Sequence, residues 1–222
     1  EKGNPIFSRN SFVRNTIDFG LPQNRPRVYI MAFNRDIYGD ALNLLDENEG
    51  IPKGSDDVIY QDVNELLEPL VPVNYYMASG YLQTLINHKK RENERGNGFG
   101  YCIVNDPNRI YKFANAILAT GGSGKERNLV YQPVSRYNNM VIKGKRTPIN
   151  DQGIRVMTPT EWGRLQGFIG YGFIDANGED HFEFPEGMSN GQKYKQFGNS
   201  VSIPVIKVMA DYMIEKLDKL RG

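Results

Sequence analysis

The chain has 222 residues, 39% of them hydrophobic and 24% charged, which is enough apolar material for a buried core and too much for a disordered chain. One cysteine, Cys102, excludes an internal disulfide framework, and with only His88 and His181 beside it a Cys/His zinc site is not expected. The net charge of +1 averages unlike segments: residues 84–147 hold twelve Lys/Arg against four Asp/Glu, and residues 37–83 one Lys against nine. Such a basic stretch reads as a polyanion-binding patch, or as a solvated charged face. No apolar run approaches the roughly 20 residues that span a bilayer, and no basic-plus-apolar leader opens the chain. A cytoplasmic protein with no membrane partner is expected. Because Glu1 rather than a methionine stands first, the chain is also expected to be a piece of a longer one.

In chain order, Gly20-Leu21-Pro22-Gln23-Asn24-Arg25-Pro26 is a turn-rich approach whose prolines forbid helix. The run Arg27 to Phe33 (RVYIMAF) predicts a buried strand. Acidic helical material follows, with Asp62 a candidate N-cap for Val63 to Glu68. Pro69 and Pro72 then place a domain boundary near residue 74. Ser79 to Arg95 predicts a helix with Leu82, Leu85 and Ile86 on one face, broken by Gly96, Gly98 and Gly100. Strand-like pieces at Tyr101–Val104, Ala116–Ala119 and Leu129–Tyr131 lie between Gly- and Asn-rich loops. Thr158-Pro159-Thr160-Glu161 is a capping box with proline at the first helical position, and Gly167 is placed to end that helix. A last helix begins near Pro204, with Val205, Val208, Met209, Tyr212, Met213 and Leu217 at helical spacing.

Three stretches carry a resemblance. Gln23-Asn24-Arg25-Pro26-Arg27-Val28-Tyr29-Ile30 resembles the Gln-x-Arg-x-Arg strand, motif VIII, of the DNA cytosine-5 methyltransferases. Residues 155–168 (RVMTPTEWGRLQGF) resemble their motif IX, and Gln196-Phe197-Gly198-Asn199-Ser200-Val201 their motif X. The order is the family's, with a basic variable region between the first two. Residues 96–101 (GNGFGY) resemble the start of the recognition region in some bacterial members, whereas Ala116-Ile117 stands where a Thr-Leu or Thr-Val pair is common. The family's glycine-rich cofactor loop, Pro-Cys nucleophile and Glu-Asn-Val segment are not found. Cys102 lacks a preceding proline and reads as a structural, partly buried thiol.

The resemblance implies that Arg27 donates to the O2 edge of a flipped-out cytosine, with a guanidinium fork that lysine cannot reproduce. Arg25, on the same strand face, would hold phosphate or neighbouring carboxylates, and Gln23 would fix the turn. Asn199, Ser200 and Val201 would close the pocket of S-adenosylmethionine at a tight turn before a helix, where Gly198 and Asn199 tolerate left-handed angles. The motif IX segment would buttress the recognition domain, and Arg164 either bridges two lobes or is an ordinary surface arginine.

Base reading would fall to the loop Thr120–Asn128, where Ser123, Lys125, Arg127 and Asn128 combine backbone freedom with donors for base edges. Arg109, Lys112, Lys89, Lys90 and Arg95 suit phosphate contacts. The expected architecture is α/β: the C-terminal part of a Rossmann-like methyltransferase domain interrupted by a small, mostly β target-recognition domain. Residues 1–73 and 154–222 would form the catalytic lobe and 74–153 the recognition domain. The expected partners are double-stranded DNA and an N-terminal catalytic half, in the same chain or a separate subunit. The alternatives are a non-catalytic DNA-binding module and an RNA cytosine methyltransferase; the size of the basic segment favours duplex DNA, because A-form helices deny side chains the major groove.

Overall fold

The computed structural model describes residues 12–46, 49–97, 100–120 and 124–221. β1 (Val13–Asn15) runs through one 3-10 turn, Thr16–Phe19, to Gly20. A side chain at Gly20 is doubly excluded: φ is +85°, and a Cβ would lie 2.2 Å from the Asp57 carbonyl oxygen. β2 (Gln23–Asn24) and β3 (Pro26–Val28) follow, and β3 pairs antiparallel with β1, setting Arg27 opposite Arg14.

The run from Arg27 to Phe33 is not the fully buried strand that its composition suggests. Only its first two residues are strand, and from Gln23 to Ile30 burial alternates, leaving Val28 62% and Ile30 74% exposed. Tyr29 and Met31 point the other way and pack with Phe19, Val205 and Met209. The reason is that β3 has one ladder partner and one covered face among the described residues.

α1 (Arg35–Tyr38) and α2 (Val63–Leu66) are single turns; Asn34 caps the first, and Asp62 caps the second by accepting from the Asn64 amide. α3 (Ser79–Glu94) is the predicted helix, burying Leu82 with Leu85 and Ile86 half-covered, and Gly96 (φ +74°) follows its end. β4 (Ala114–Asn115) pairs parallel with β2, and β5 (Leu129–Tyr131) pairs antiparallel with β6 (Ile154–Val156). α4 (Pro159–Gln166) has both halves of its Thr158–Glu161 capping box and a left-handed Gly167 at its end. α5 (Asn190–Asn199) has a second such box, Ser189–Gln192, and α6 (Ile203–Arg221) closes the fold. No helix among the described residues is long and apolar enough to cross a membrane.

Residues 74–153 are less β than expected. Among the described residues their strands are β4 and β5 alone, β4 lies two residues ahead of the predicted Ala116–Ala119, and Tyr101–Val104 makes one bridge, Ile103 to Leu129. Side-chain amides take the place of ladders. Buried Asn105 accepts from the Tyr131 amide (2.7 Å) and donates to its carbonyl (2.9 Å). Asn128 does the same to Asn115 (2.7 and 3.1 Å), and Asn150 to Ile154 (2.9 and 2.8 Å). Each amide satisfies both polar groups of one strand residue, so a buried edge needs no further strand.

The main core draws on all three stretches of sequence: Val63 and Leu66, then Val104, Ala114, Ile117 and Val130, then Met157, Trp162, Leu165, Tyr194 and Phe197. At its side lies the fully buried pair Arg155–Glu161, bidentate at 2.8 and 2.6 Å. The Arg155 Nε–H donates to Gln132 (2.7 Å), whose own amide donates to the Glu68 carbonyl (2.8 Å). Glu161 also accepts from the amides of Glu68 (2.9 Å) and Thr158 (2.8 Å), and Thr158 Oγ1 donates to the Glu68 carboxylate. One buried ion pair therefore joins residues 68, 132 and 155–161.

Candidate active site and nucleic-acid interface

The alternation along residues 23–29 turns Gln23, Arg25 and Arg27 to one side. Gln23 is fully buried and donates to the Leu165 carbonyl (3.3 Å), so it ties β2 to α4 as well as entering the turn. Arg25, expected at phosphate or carboxylates, has no carboxylate partner among the described residues. Its buried guanidinium donates to the carbonyls of Ile117 (2.7 Å), Gly198 (3.0 Å) and Ser200 (2.8 Å). The carbonyls of Ile117 and of the end of α5 thus take two of its three nitrogens, and Nε is left without a partner among the described residues. Burial, and after it the neighbouring Arg27, bring Arg25 down to about 10. Arg27 is only half-buried, and among the described residues its one side-chain bond is to the Pro26 carbonyl (2.7 Å). Among those residues most of its donor fork has no partner.

The Ser200 and Gly198 carbonyls that Arg25 grips belong to the segment predicted to close a cofactor pocket. Gly198 and Asn199 finish α5, and Ser200 caps it; the expected tight turn with left-handed angles is absent. Glycine is required at 198 for a different reason: a Cβ would sit 2.3 Å from the Leu118 carbonyl oxygen. Beneath the segment, Thr16, Ser202 and Gln166 form a buried chain of hydrogen bonds of 2.8 Å each, and Gln166 donates to the Phe197 carbonyl at 3.0 Å. The main chain at 198–202 is thus fixed from below, while the Asn199 and Val201 side chains are exposed.

A cavity of about 450 Å³ lies on the other side of the basic segment, lined by Lys89 and Asn93 of α3, Tyr101, Cys102, Asn115 and Arg127. Lys89 lies over the Tyr101 ring at 4.8 Å, and Arg109 donates to Cys102 Sγ at 2.9 Å. The cavity therefore gathers Lys89, Arg127 and, through Cys102, Arg109. Lys90 and Arg95 are exposed on α3 and just past its end, with Arg95 paired to Glu92 at 3.3 Å. Lys112 is half-buried beside α2, where its carbonyl accepts from Val63.

The family description for C-5 cytosine-specific DNA methylases matches residues 8–215. The chain belongs to that family. It is 39% identical over 213 residues to the type II methyltransferase M.HpaII of Haemophilus parainfluenzae, an alignment covering 93% of this chain and 50% of that protein. It is 32% identical over 203 residues to a DNA-cytosine methyltransferase of Escherichia coli K12, covering 89% and 39%. The chain thus spans about half the length, or less, of these relatives. A solved methyltransferase structure from Entamoeba histolytica superposes with a TM-score of 0.54 at 20% identity, over 92% of this chain and 52% of that one, a likeness of fold. The methyl donor of this family is S-adenosylmethionine.

Within this methylase chain, the recognition loop is divided in use. Ser123 lies outside the described residues. Asn128, expected at a base edge, is buried and bonded to Asn115 through both its oxygen and its amide nitrogen. Lys125 is half-buried with its ammonium 4.5 Å from the Tyr194 ring, which ties the loop to α5. Arg127 alone of the three described residues is exposed. Arg164 donates to the Leu66 carbonyl (2.8 Å), joining α4 to α2. Cys102 is half-buried against the main core, in keeping with a structural thiol. Replacing it with serine in an active enzyme is expected to keep most methyl-transfer activity, and abolition would return it to the chemistry.

Sequence reasoning missed several residues. Lys145 and Arg146 line a second basic cavity, and the run Lys143-Gly144-Lys145-Arg146 was the signal available for them. Gln132, Asn105 and Asn150 had no signal, since each acts only through a distant partner. Asp175, Glu179 and His181 bring ligand-type atoms within 4.8 Å of one another, but their mutual hydrogen bonds make an exposed turn and no site is assigned to them.

Proposed function

We propose that this chain is part of an S-adenosylmethionine-dependent DNA cytosine-5 methyltransferase, supplying sequence recognition, a base-contacting arginine and part of the cofactor pocket. The Pro-Cys nucleophile comes from an N-terminal half, in the same polypeptide or a second subunit, so the chain alone is inactive. In this reading residues 1–73 and 154–222 complete a Rossmann-like lobe, and residues 74–153 form the recognition domain. The reading is carried by Arg27: a guanidinium bonded among the described residues only to the Pro26 carbonyl, on the same strand face as Arg25, two of whose carbonyl bonds fix the strand against the 198–200 lip.

The target ring carbons are unreachable inside a stacked duplex, so the cytosine is turned out. Thiolate addition at C6 places charge on the ring, and Arg27 donates at the O2 edge where that charge develops. Asn199, Ser200 and Val201 would line one side of the cofactor, which supplies the methyl group when bound. Arg25 touches neither; it positions Arg27 relative to the lip. Arg127, Lys89 and Arg109 meet the duplex, with Lys90, Arg95 and Lys112 as further phosphate contacts.

The test is labelled methyl transfer to duplex DNA by this chain mixed with a polypeptide bearing the Pro-Cys and Glu-Asn-Val segments. Transfer by the mixture and by neither part alone is the expected result. Transfer by the chain alone would place the nucleophile within it. Binding of DNA with no transfer in the mixture would make it a recognition module.

A further inference from the structure

The largest cavity among those described, about 640 Å³, has no part in the reading above. It lies where the first turns of α3 meet residues 144–147, and its cations are Lys125, Lys145 and Arg146. The wall is held firmly: the Gly80 amide donates to Thr147 Oγ1 (2.9 Å), and a Cβ on Gly80 would come within 2.9 Å of the Thr147 methyl. The early α3 amides of Ser79 and Gly80 are thereby occupied, so attraction for an anion comes from the side chains.

Three cations face a single lining carboxylate, Glu126, which already accepts from the Tyr81 hydroxyl at 2.7 Å. Lys145 gives one N–H to the Tyr76 carbonyl (2.7 Å), and Lys125 rests on Tyr194, so among the described residues both ammoniums keep uncommitted donors. Arg146 is exposed and has no partner among the described residues. Burial lowers Lys125 and Lys145, and for Lys145 the second cause is Lys125 itself; an anion seated between them would relieve both.

Position connects this cavity to the one at Lys89. Both run along α3, the first touching Tyr81 and Thr84 and the second Lys89 and Asn93. The short turn Lys125–Asn128 divides them, with Lys125 and Glu126 on one side and Arg127 on the other. From Tyr81 to Lys89 the helix advances about 12 Å, the axial span of roughly three or four phosphates of one strand.

We propose that the Lys125–Lys145–Arg146 cavity seats a backbone phosphate of duplex DNA, continuing the phosphate track that passes Lys89 and Arg127. The inference rests on the reading of this chain as the DNA-recognising part of a methyltransferase. It extends the contact surface to a part of the basic segment outside the Thr120–Asn128 loop.

The test is fluorescence anisotropy of the 222-residue chain with a labelled duplex at several salt concentrations, recording the slope of log affinity against log salt. Arg146→Ala and Lys145→Gln should each reduce that slope by about 1 and weaken binding alike for unrelated duplex sequences, as loss of one phosphate contact does. Lys145→Arg should retain the slope. Arg146 is the safer probe because its removal takes away no bond among the described residues, and circular dichroism melting checks that Lys145→Gln remains folded. An unchanged slope in both neutral variants, with a reduced slope in Lys89→Gln or Arg127→Ala, would overturn this inference and leave the wider reading standing. Wild-type binding no tighter to duplex than to an RNA of equal length would overturn both.

Discussion

Arg27→Ala is expected to lower kcat for methyl transfer by about 10²- to 10³-fold, the usual effect of deleting one preorganised donor to developing charge. The affinity for duplex DNA should change little. The structure separates the two quantities: among the described residues Arg27's only side-chain bond is to its own neighbour's carbonyl, and the cations along α3 are elsewhere. Its loss also removes a like charge from beside Arg25, so folding should not suffer. Arg27→Lys keeps the charge and loses the rigid fork, and should recover only part of the rate. Single-turnover rates in the complemented enzyme, set beside anisotropy titrations, decide the matter. Equal losses in rate and affinity would make Arg27 a binding residue and sink the assigned role.

Arg155→Met should destabilise the chain by about 3–5 kcal/mol, because it leaves the Glu161 carboxylate buried without its cation. At roughly 2–4 °C of melting temperature per kcal/mol for a chain of this size, the loss is readily seen in a thermal melt. Glu161 is fully enclosed and cannot turn to water, and the same substitution removes the Nε–H donor to Gln132. Adding Glu161→Gln should recover part of the stability, since it removes the unpaired buried charge and its one carbonyl oxygen can still accept from one of the Glu68 and Thr158 amides, which bond different carboxylate oxygens in the wild type. If the single variant melts within a few degrees of wild type, the pair does not hold these three segments together.

What the sequence disclosed was local. The Thr158–Glu161 capping box, the Asp62 cap and the helix from Ser79 each depend on residues a few positions apart, and each is found. The Ser189–Gln192 box carries the same signature and was overlooked. Misreadings arose wherever a residue's partner is remote. Arg25 looked like a phosphate ligand because the carbonyls that occupy it belong to residues 117, 198 and 200. Asn128 looked like a base reader because nothing nearby marks Asn115 as its partner. The apolar run after Arg27 looked buried on both faces because composition reports apolarity and not which neighbours are present. The three motifs disclosed the family, while the way Arg25 locks one to another lay only in three dimensions.

The asparagines that close the strand edges bear on how such a region can diversify. A ladder sets register through many consecutive bonds, so a change in loop length must be absorbed along the whole strand. Asn105, Asn128 and Asn150 each fix register at one point, by gripping one residue. Segments between these anchors can therefore lengthen, shorten or be exchanged while the frame keeps its alignment. A graft of new loops into this scaffold should retain the three amides, and substitution by aspartate would weaken it, since it deletes the donor and buries a charge. The anchors set the limits of each exchangeable cassette.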